Sequence, residues 1–317
     1  MAGTHDITAA CAQKVLEQVR KVVVGKDSVL LWSLAAILAG GHILLEDIPG
    51  VGKTTMALSF SKTLDLQYNR VQFTPDVLPS DVTGYSVLNQ QDGSMIYRPG
   101  AVLCNLFLAD ELNRATSRTQ SALLEAMEEG AVTVDGTAHQ IPKPFVVIAT
   151  QNPTGAAGTQ LLPDSQMDRF MVRLSLGYPK PKDEVAMVLG RQGVNPLQEL
   201  QPVLNKEQLR YLQTLVADTY ISEAVVDYVV ALICATRNHP DILRGASPRA
   251  TLAVTAMAKS IARLRGRDYV VPGDVEEVFV TTVAHRLLMS ARAEGASVTA
   301  EQVLKDILAQ VPAPKVR

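Results

Sequence analysis

Cysteine is scarce in this 317-residue chain: Cys11, Cys104 and Cys234 are odd in number, far apart and form no C-x-x-C pair. A disulfide framework and a zinc knuckle are therefore disfavoured, and a reducing compartment, the cytoplasm, is expected. Histidine is thin too, and His5, His42, His139, His239 and His285 fall at no metal-ligand spacing. Each is expected to be structural or exposed. A charge excess is also lacking, since Lys+Arg 30 against Asp+Glu 32 leaves a formal net charge of −2. Proteins that take nucleic acid as their main ligand usually carry a clear basic surplus, so that class is disfavoured. The opening Met1–Asp6 lacks the basic-then-apolar pattern of a secretory leader.

What is present is an ordinary globular composition, 47% hydrophobic and 20% charged, in a length that suits about two domains. One stretch imitates a membrane span. Ser28 to Leu45 carries no formal charge, but Gly40-Gly41 interrupts it and Ser33 and His42 add polarity. The pattern fits an apolar helix over 28–39 followed by a buried strand His42–Leu45, with no membrane insertion.

The first 185 residues alternate short apolar runs with helical patterns, which predicts an α/β fold built on a parallel sheet. Strands are expected at His42–Leu45, Arg70–Phe73, Leu106–Ala109, Phe145–Ala149 and Met171–Leu174. Runs such as LFLA and FVVIA are apolar on both faces, as central parallel strands require. Ser117-Arg-Thr-Gln120 reads as a capping box opening a helix. Two inserts break the alternation, near 84–103 and 130–144, with hairpin turns signalled at Asp92-Gly93 and Asp135-Gly136. Pro179–Lys182 and the segment from Gly193 to Pro202 mark a boundary. From 186 to 317 a smaller, all-helical unit is expected, with strands disappearing. Its helix starts are read at Asn205–Gln208, Asp274–Glu277, Thr299–Gln302 and Ser247-Pro248.

Chemistry concentrates in a few places. Asp47-Ile-Pro-Gly-Val-Gly-Lys-Thr54 lies between a strand and a helix expected over Thr55–Leu64, the setting of a phosphate-binding loop. Gly50 and Gly52 let backbone N–H groups turn inward toward phosphate oxygens, and the helix N-terminus adds its positive dipole end. Lys53 can reach the β- and γ-phosphates, and Thr54 offers a hydroxyl to Mg²⁺. Asp47 stands where the generic pattern has its first glycine. Leu106–Ala109 delivers Asp110 and Glu111 to a strand end: Asp110 suits the metal, usually through water, and Glu111 suits activation of the attacking water. Asn152 could orient that water or be a turn residue before proline. Arg169 and Arg249 read equally well as surface charges or as reaching cations.

Together these residues resemble the AAA+ ATPases, and within them the MoxR family. The resemblance spans nearly the whole chain and is most specific at EDIPGVGKT, FTPDVLPSDVTG, RPGAVL, DELNRA, ALLEAMEEG, IATQNP, LPDSQMDRF and GASPRA. It implies a three-layer αβα core over 1–185 and a helical lid over 186–317, assembled as a ring, typically a hexamer. It implies ATP and Mg²⁺, bound between core and lid at the interface with a neighbouring subunit. Within it, Lys53 and Thr54 match the Walker A lysine and threonine, inside a loop that includes Asp47, Pro49, Gly50, Val51, Gly52 and Thr55. Asp110 and Glu111 match Walker B, Asn152 sensor 1, Arg169 the arginine finger and Arg249 the lid's sensor 2. Val24 and Gly25 fall where such proteins commonly touch adenine. The inserts resemble the helix-2 insert and the pre-sensor hairpin of this clade, which tend to face a pore or a client.

The function implied is chaperone-like remodelling, activation or metal insertion of partner complexes. The usual partner of the family is a protein with a von Willebrand factor A domain. A nucleic-acid motor, supported by the cluster Lys259, Arg263, Arg265 and Arg267, is the first alternative; that cluster is explained more simply as a solvated helix end. A metal-chelatase ATPase subunit and a nucleotide-gated scaffold are the others. The second acid of the pair, Glu111, argues against a scaffold that only binds.

Overall fold

The computed structural model describes residues 5–152, 162–190 and 195–315. Elements follow in chain order as α1 (His5–Arg20), α2 (Asp27–Leu38), β1 (Ile43–Glu46), α3 (Lys53–Thr63), β2 (Tyr68–Gln72) and α4 (Pro79–Thr83). A hairpin of β3 (Gly84–Leu88) and β4 (Met95–Pro99) precedes β5 (Leu106–Asp110) and α5 (Ser117–Glu129). A second hairpin, β6 (Ala131–Val134) and β7 (Thr137–Gln140), leads into β8 (Val146–Gln151); then come α6 (Asp164–Met167), β9 (Val172–Leu174) and α7 (Pro181–Leu189). The C-terminal unit holds α8 (Pro196–Glu199), α9 (Lys206–Ala217), α10 (Glu223–Arg237), β10 (Ile242–Arg244), α11 (Pro248–Leu264) and α12 (Pro272–Val283). It ends with a 3-10 turn at Ala284–Arg286, β11 (Leu288–Met289), α13 (Ala291–Gly295) and α14 (Ala300–Gln310).

The central sheet is parallel with strand order β2-β5-β8-β1-β9. Both faces are covered, as the continuous apolar runs demand. Side chains alternate across it: Ile43, Leu45, Leu106, Leu108, Val146 and Ile148 join one apolar cluster, whereas Leu44, Phe107, Ala109, Val147 and Ala149 join the other. The first cluster runs without a break into α9 to α12 of the C-terminal unit. α2 is the bridge, and Ser260 of α11 donates to its Ala35 carbonyl at 2.9 Å. The 28–45 stretch is thus a buried helix and strand, and among the described residues no helix is long and apolar enough to cross a membrane.

Several local expectations shift. Thr116, not Ser117, caps α5, accepting from the Thr119 N–H, and Gln120 instead donates to the carbonyls of Leu112 and Ala115. Asp274 lies at the third position inside α12, where its carboxylate accepts from the Val271 N–H, because Pro272 already starts the helix. The boxes at Asn205–Gln208 and Thr299–Gln302 close as read. Strands do not disappear after 186. Antiparallel β10 and β11 pair Ile242 with Met289 and Arg244 with Leu288. Two and three residues are too few to show an alternating pattern. Gly193 and Pro153 of the IATQNP motif lie outside the described residues.

Half-buried His42, just before β1, receives the Val147 N–H on Nδ1 at 3.0 Å, and its Nε2 lies 3.2 Å from the Met127 carbonyl. Burial pushes its imidazole from 6.5 down to about 4. The folded chain therefore keeps His42 neutral while the unfolded chain takes up a proton below about pH 6.5. Stability supplied here is complete above that pH and is lost as pH falls toward 4, about 2 kcal/mol of it between pH 7 and pH 5. Urea unfolding at those two pH values should show a drop that shrinks by that amount in His42→Gln. An unchanged drop would remove His42 from the acid response.

Candidate functional site

The segments after β1 and β5 and Asn152 just after β8 meet at the carboxyl edge of the sheet, where open α/β sheets bind ligands. After β1 the chain turns through Gly50 at φ +84° and Gly52 at φ +101°. Both are left-handed positions with open space where a Cβ would stand. Gly52 caps α3 and offers no side chain, so the first-turn N–H groups of α3 have no side-chain acceptor from their cap. This is an anion cradle in its backbone alone. Lys53 is buried, and its ammonium rests on the carbonyls of Asp47 at 2.6 Å and Ile48 at 3.2 Å. Burial lowers its pKa, partly opposed by the charges of Asp47, Asp110 and Glu111.

Asp47, expected among the ligand-binding residues, lines neither of the cavities described here. Its carboxylate accepts from Ser175 Oγ at 2.7 Å, the Leu176 N–H at 2.6 Å and the Gly177 N–H at 3.0 Å. It ties the phosphate loop to the segment leaving β9. That explains an acid where the generic loop has glycine: the side chain points away from the cradle.

A cavity of about 330 Å³ brings Lys53, Thr54, Arg70, Asp110, Glu111 and Asn152 together. Consecutive strand residues face opposite sides of a sheet. Glu111 follows the end of β5 with φ +56°, a left-handed turn that brings its carboxylate to the same cavity as that of Asp110. Asp110 Oδ1 accepts from Thr150 Oγ1 at 2.6 Å, and Oδ2 pairs with Arg70 at 2.7 Å. The Thr150 hydroxyl also accepts the Glu111 N–H at 2.8 Å, so one β8 side chain sets both acids. Glu111 Oε2 pairs with Arg114 at 2.8 Å, and Oε1 lies 3.4 Å from Asn152 Nδ2. The roles of Thr150 and Arg70 are not evident from sequence: the first falls inside the IATQNP motif and the second opens an expected strand, and neither position announces its partner.

Beside this lies a larger, mainly apolar cavity of about 900 Å³, sharing Pro49, Gly50, Gly52 and Thr55 with the first. Val24, Val51, Tyr178, Val185 and Val188 form its walls. Gly25, at φ +73°, borders the opening without lining it; a Cβ there would stand 2.2 Å from Asp183 Oδ2. Lys26 fixes that wall by donating to the carbonyls of Leu176, Gly177 and Tyr178. Tyr178, Val185 and Val188 come from the segment between β9 and α8, which carries no motif to announce them. The pair of cavities suits a molecule with a flat apolar end and a polyanionic tail. Among the described residues no cluster of three or more metal-ligating His, Cys, Asp or Glu exists, so a cation here would rest on Thr54, Asp110 and the ligand's own oxygens.

Arg169 and Arg249 are absent from both cavities. They line a third, of about 360 Å³, with Glu128. Arg169 bonds Glu128 Oε2 at 2.8 Å and the Leu124 carbonyl, while Arg249 bonds Glu128 Oε1. The structure thus brings the two candidate cations to each other and not to Lys53. The two hairpins also meet, with Tyr97 stacked on His139 at 3.6 Å and 10°. In the basic cluster, Lys259 donates to the Ala217 carbonyl, Arg263 to Thr219 Oγ1, and Arg265 and Arg267 pair with Asp274. Each of those cations has a partner within the fold, which fits the simpler reading of the cluster as a helix end.

Residues 42–172 match the profile of the "ATPase family associated with various cellular activities (AAA)", and residues 234–307 match that of the AAA lid domain. The chain is 43% identical to the uncharacterized protein YeaC of Bacillus subtilis, over 95% of this chain and 94% of that one. It is 38% identical to the chaperone MoxR1 of Mycobacterium tuberculosis, over 96% and 82% of the two chains. A crystal structure from Cytophaga hutchinsonii, described as a candidate ATPase, superposes with a TM-score of 0.90 at 36% identity, covering 98% of this chain and 97% of that one.

Proposed function

This chain belongs to the MoxR family of AAA+ ATPases, and on that premise we propose that it works as a ring, typically a hexamer, whose ATP hydrolysis remodels, activates or loads metal into a partner protein complex in the cytoplasm. The observation that carries the ring is the separation just described. Lys53, Asp110 and Glu111 lie in one cavity, and Arg169 and Arg249 in another. In this reading two chains meet to complete one site. A division into a core over 1–185 and a lid over 186–317 follows the same reading.

In that site the backbone at Gly50 and Gly52 and the start of α3 hydrogen-bond the phosphates. Lys53 leaves the carbonyls of Asp47 and Ile48 for the γ-phosphate. Asp110 and Thr54 would hold Mg²⁺, which when bound draws charge off the phosphate oxygens. Val24 and the apolar wall take the base. Glu111 accepts the proton of the attacking water, Asn152 orients that water, and Arg169 and Arg249 of the neighbouring chain stabilise the charge that spreads over the transferring phosphoryl group. Two chemical features favour turnover over mere binding: a second acid beside the metal carboxylate, and its placement by a strained turn.

The proposed partner is a protein with a von Willebrand factor A domain together with the complex it serves, reached through the stacked hairpins. A Glu111→Gln chain used as bait in extract of its own cell, with and without ATP, tests this. ATP-dependent capture of such a protein and its associated complex supports remodelling. Salt-sensitive capture of nucleic acid alone would overturn it in favour of a motor.

A further inference from the structure

The geometry points to Arg286 as the positioning residue for Arg169: a lid side chain that fixes the core turn from which the candidate finger projects. The inference rests on the reading that Arg169 acts on a neighbouring chain's nucleotide.

Arg286 ends the 3-10 turn that follows α12, and its side chain is 2% exposed. Its guanidinium bonds both sides of position 169. Nη1 reaches Asp168 Oδ1 at 2.6 Å and Nη2 reaches the Phe170 carbonyl at 2.7 Å, while Nε is held by the Thr282 carbonyl at 2.9 Å. His285 Nε2 lies 3.0 Å from the same Phe170 carbonyl. The second oxygen of Asp168 accepts from Ser247 Oγ at 3.0 Å, and Ser247 immediately precedes α11, two residues before Arg249, with its hydroxyl making no capping bond to the helix. Asp168 therefore joins the turn of Arg169 to both lid elements, and Arg169 and Arg249 arrive at one carboxylate, Glu128, already in register.

A buried ion pair gives little net stability because desolvation opposes it, so its presence calls for another reason. The fork of arginine supplies one. Two acceptors separated by a single residue are held at fixed mutual geometry, which a lysine ammonium cannot do. A donor that stabilises spreading phosphoryl charge must be fixed in advance, and misplacement by about 1 Å costs up to about 10²-fold. Lid position and finger position are then one variable.

The test is complementation in mixed assemblies of full-length chains. Lys53→Ala subunits supply arginines but no working site; Arg169→Ala subunits supply a site but no finger. Arg286→Gln should keep nucleotide affinity and KM within about twofold and lose about ten- to a hundredfold in kcat, with Arg286→Lys recovering part. Lys53→Ala subunits should restore its turnover, and Arg169→Ala subunits should not. Rescue by Arg169→Ala instead, or by neither partner, overturns the proposal. Failure of Lys53→Ala to rescue Arg169→Ala itself overturns the underlying reading first. Should Arg286→Gln not fold, Ser247→Ala removes only the other Asp168 bond and should show the same rescue pattern with a milder loss.

Discussion

Glu111→Gln is expected to bind ATP within about threefold of the parent and to lose about 10²–10⁴-fold in kcat, the span typical of removing a positioned base. The amide keeps the size of the carboxylate, and its one carbonyl oxygen can still accept from Arg114, while its NH2 replaces the oxygen that faces Asn152. The capacity to take a proton goes, together with the charge paired with Arg114 and one accepting oxygen. Asp110 cannot stand in, because Thr150 and Arg70 already occupy both its oxygens and metal would claim it in the working state. Phosphate release measured beside equilibrium nucleotide binding reads both halves. A kcat within tenfold of the parent would mean that the proton leaves by another route.

Arg169→Ala should bind ATP nearly as the parent does and hydrolyse it about 10³-fold more slowly, the lower end of what such cations contribute in other NTPases. The binding half follows because Arg169 lines neither the phosphate cavity nor the apolar one. The hydrolysis half follows only if chains assemble, so activity should rise more steeply than linearly with protein concentration. Mixing with Lys53→Ala subunits should return part of the lost rate, each variant supplying what the other lacks. Absence of any return at all mixing ratios would count against action between chains.

Much of this was legible in the sequence because it depends on local order. A doubly apolar strand, a glycine turn and a lysine-threonine helix start are neighbours in the chain, and their spacing alone implies a strand, a loop and a cradle. The sheet strands accordingly begin and end within two residues of expectation. What escaped depends on register between distant segments. Thr150 looks like any β8 residue until β8 lies beside β5, and Arg70 until β2 lies on the other side. The place of Asp47 in the motif implies ligand binding, whereas its carboxylate answers three groups beyond β9, more than 120 residues away. Arg286 belongs to no recognisable pattern, and only the docking of the lid brings it to Asp168. The apolar wall from Tyr178 to Val188 is similar: exposed side chains on α7 and the turn before it carry no sign of the cavity they close.

The unbroken apolar cluster that passes from the sheet face through α2 into α11 and α12 has a mechanical consequence. Prising the lid off that face by even about 400 Å² of apolar surface would cost on the order of 10 kcal/mol. The subunit therefore resists separation of the lid from the sheet along this direction. In the proposed ring, the joints between chains are where the arginines of one would meet the nucleotide of the next. Work done at a nucleotide would then appear as rotation of whole subunits past one another, delivered at the far end by the paired hairpins.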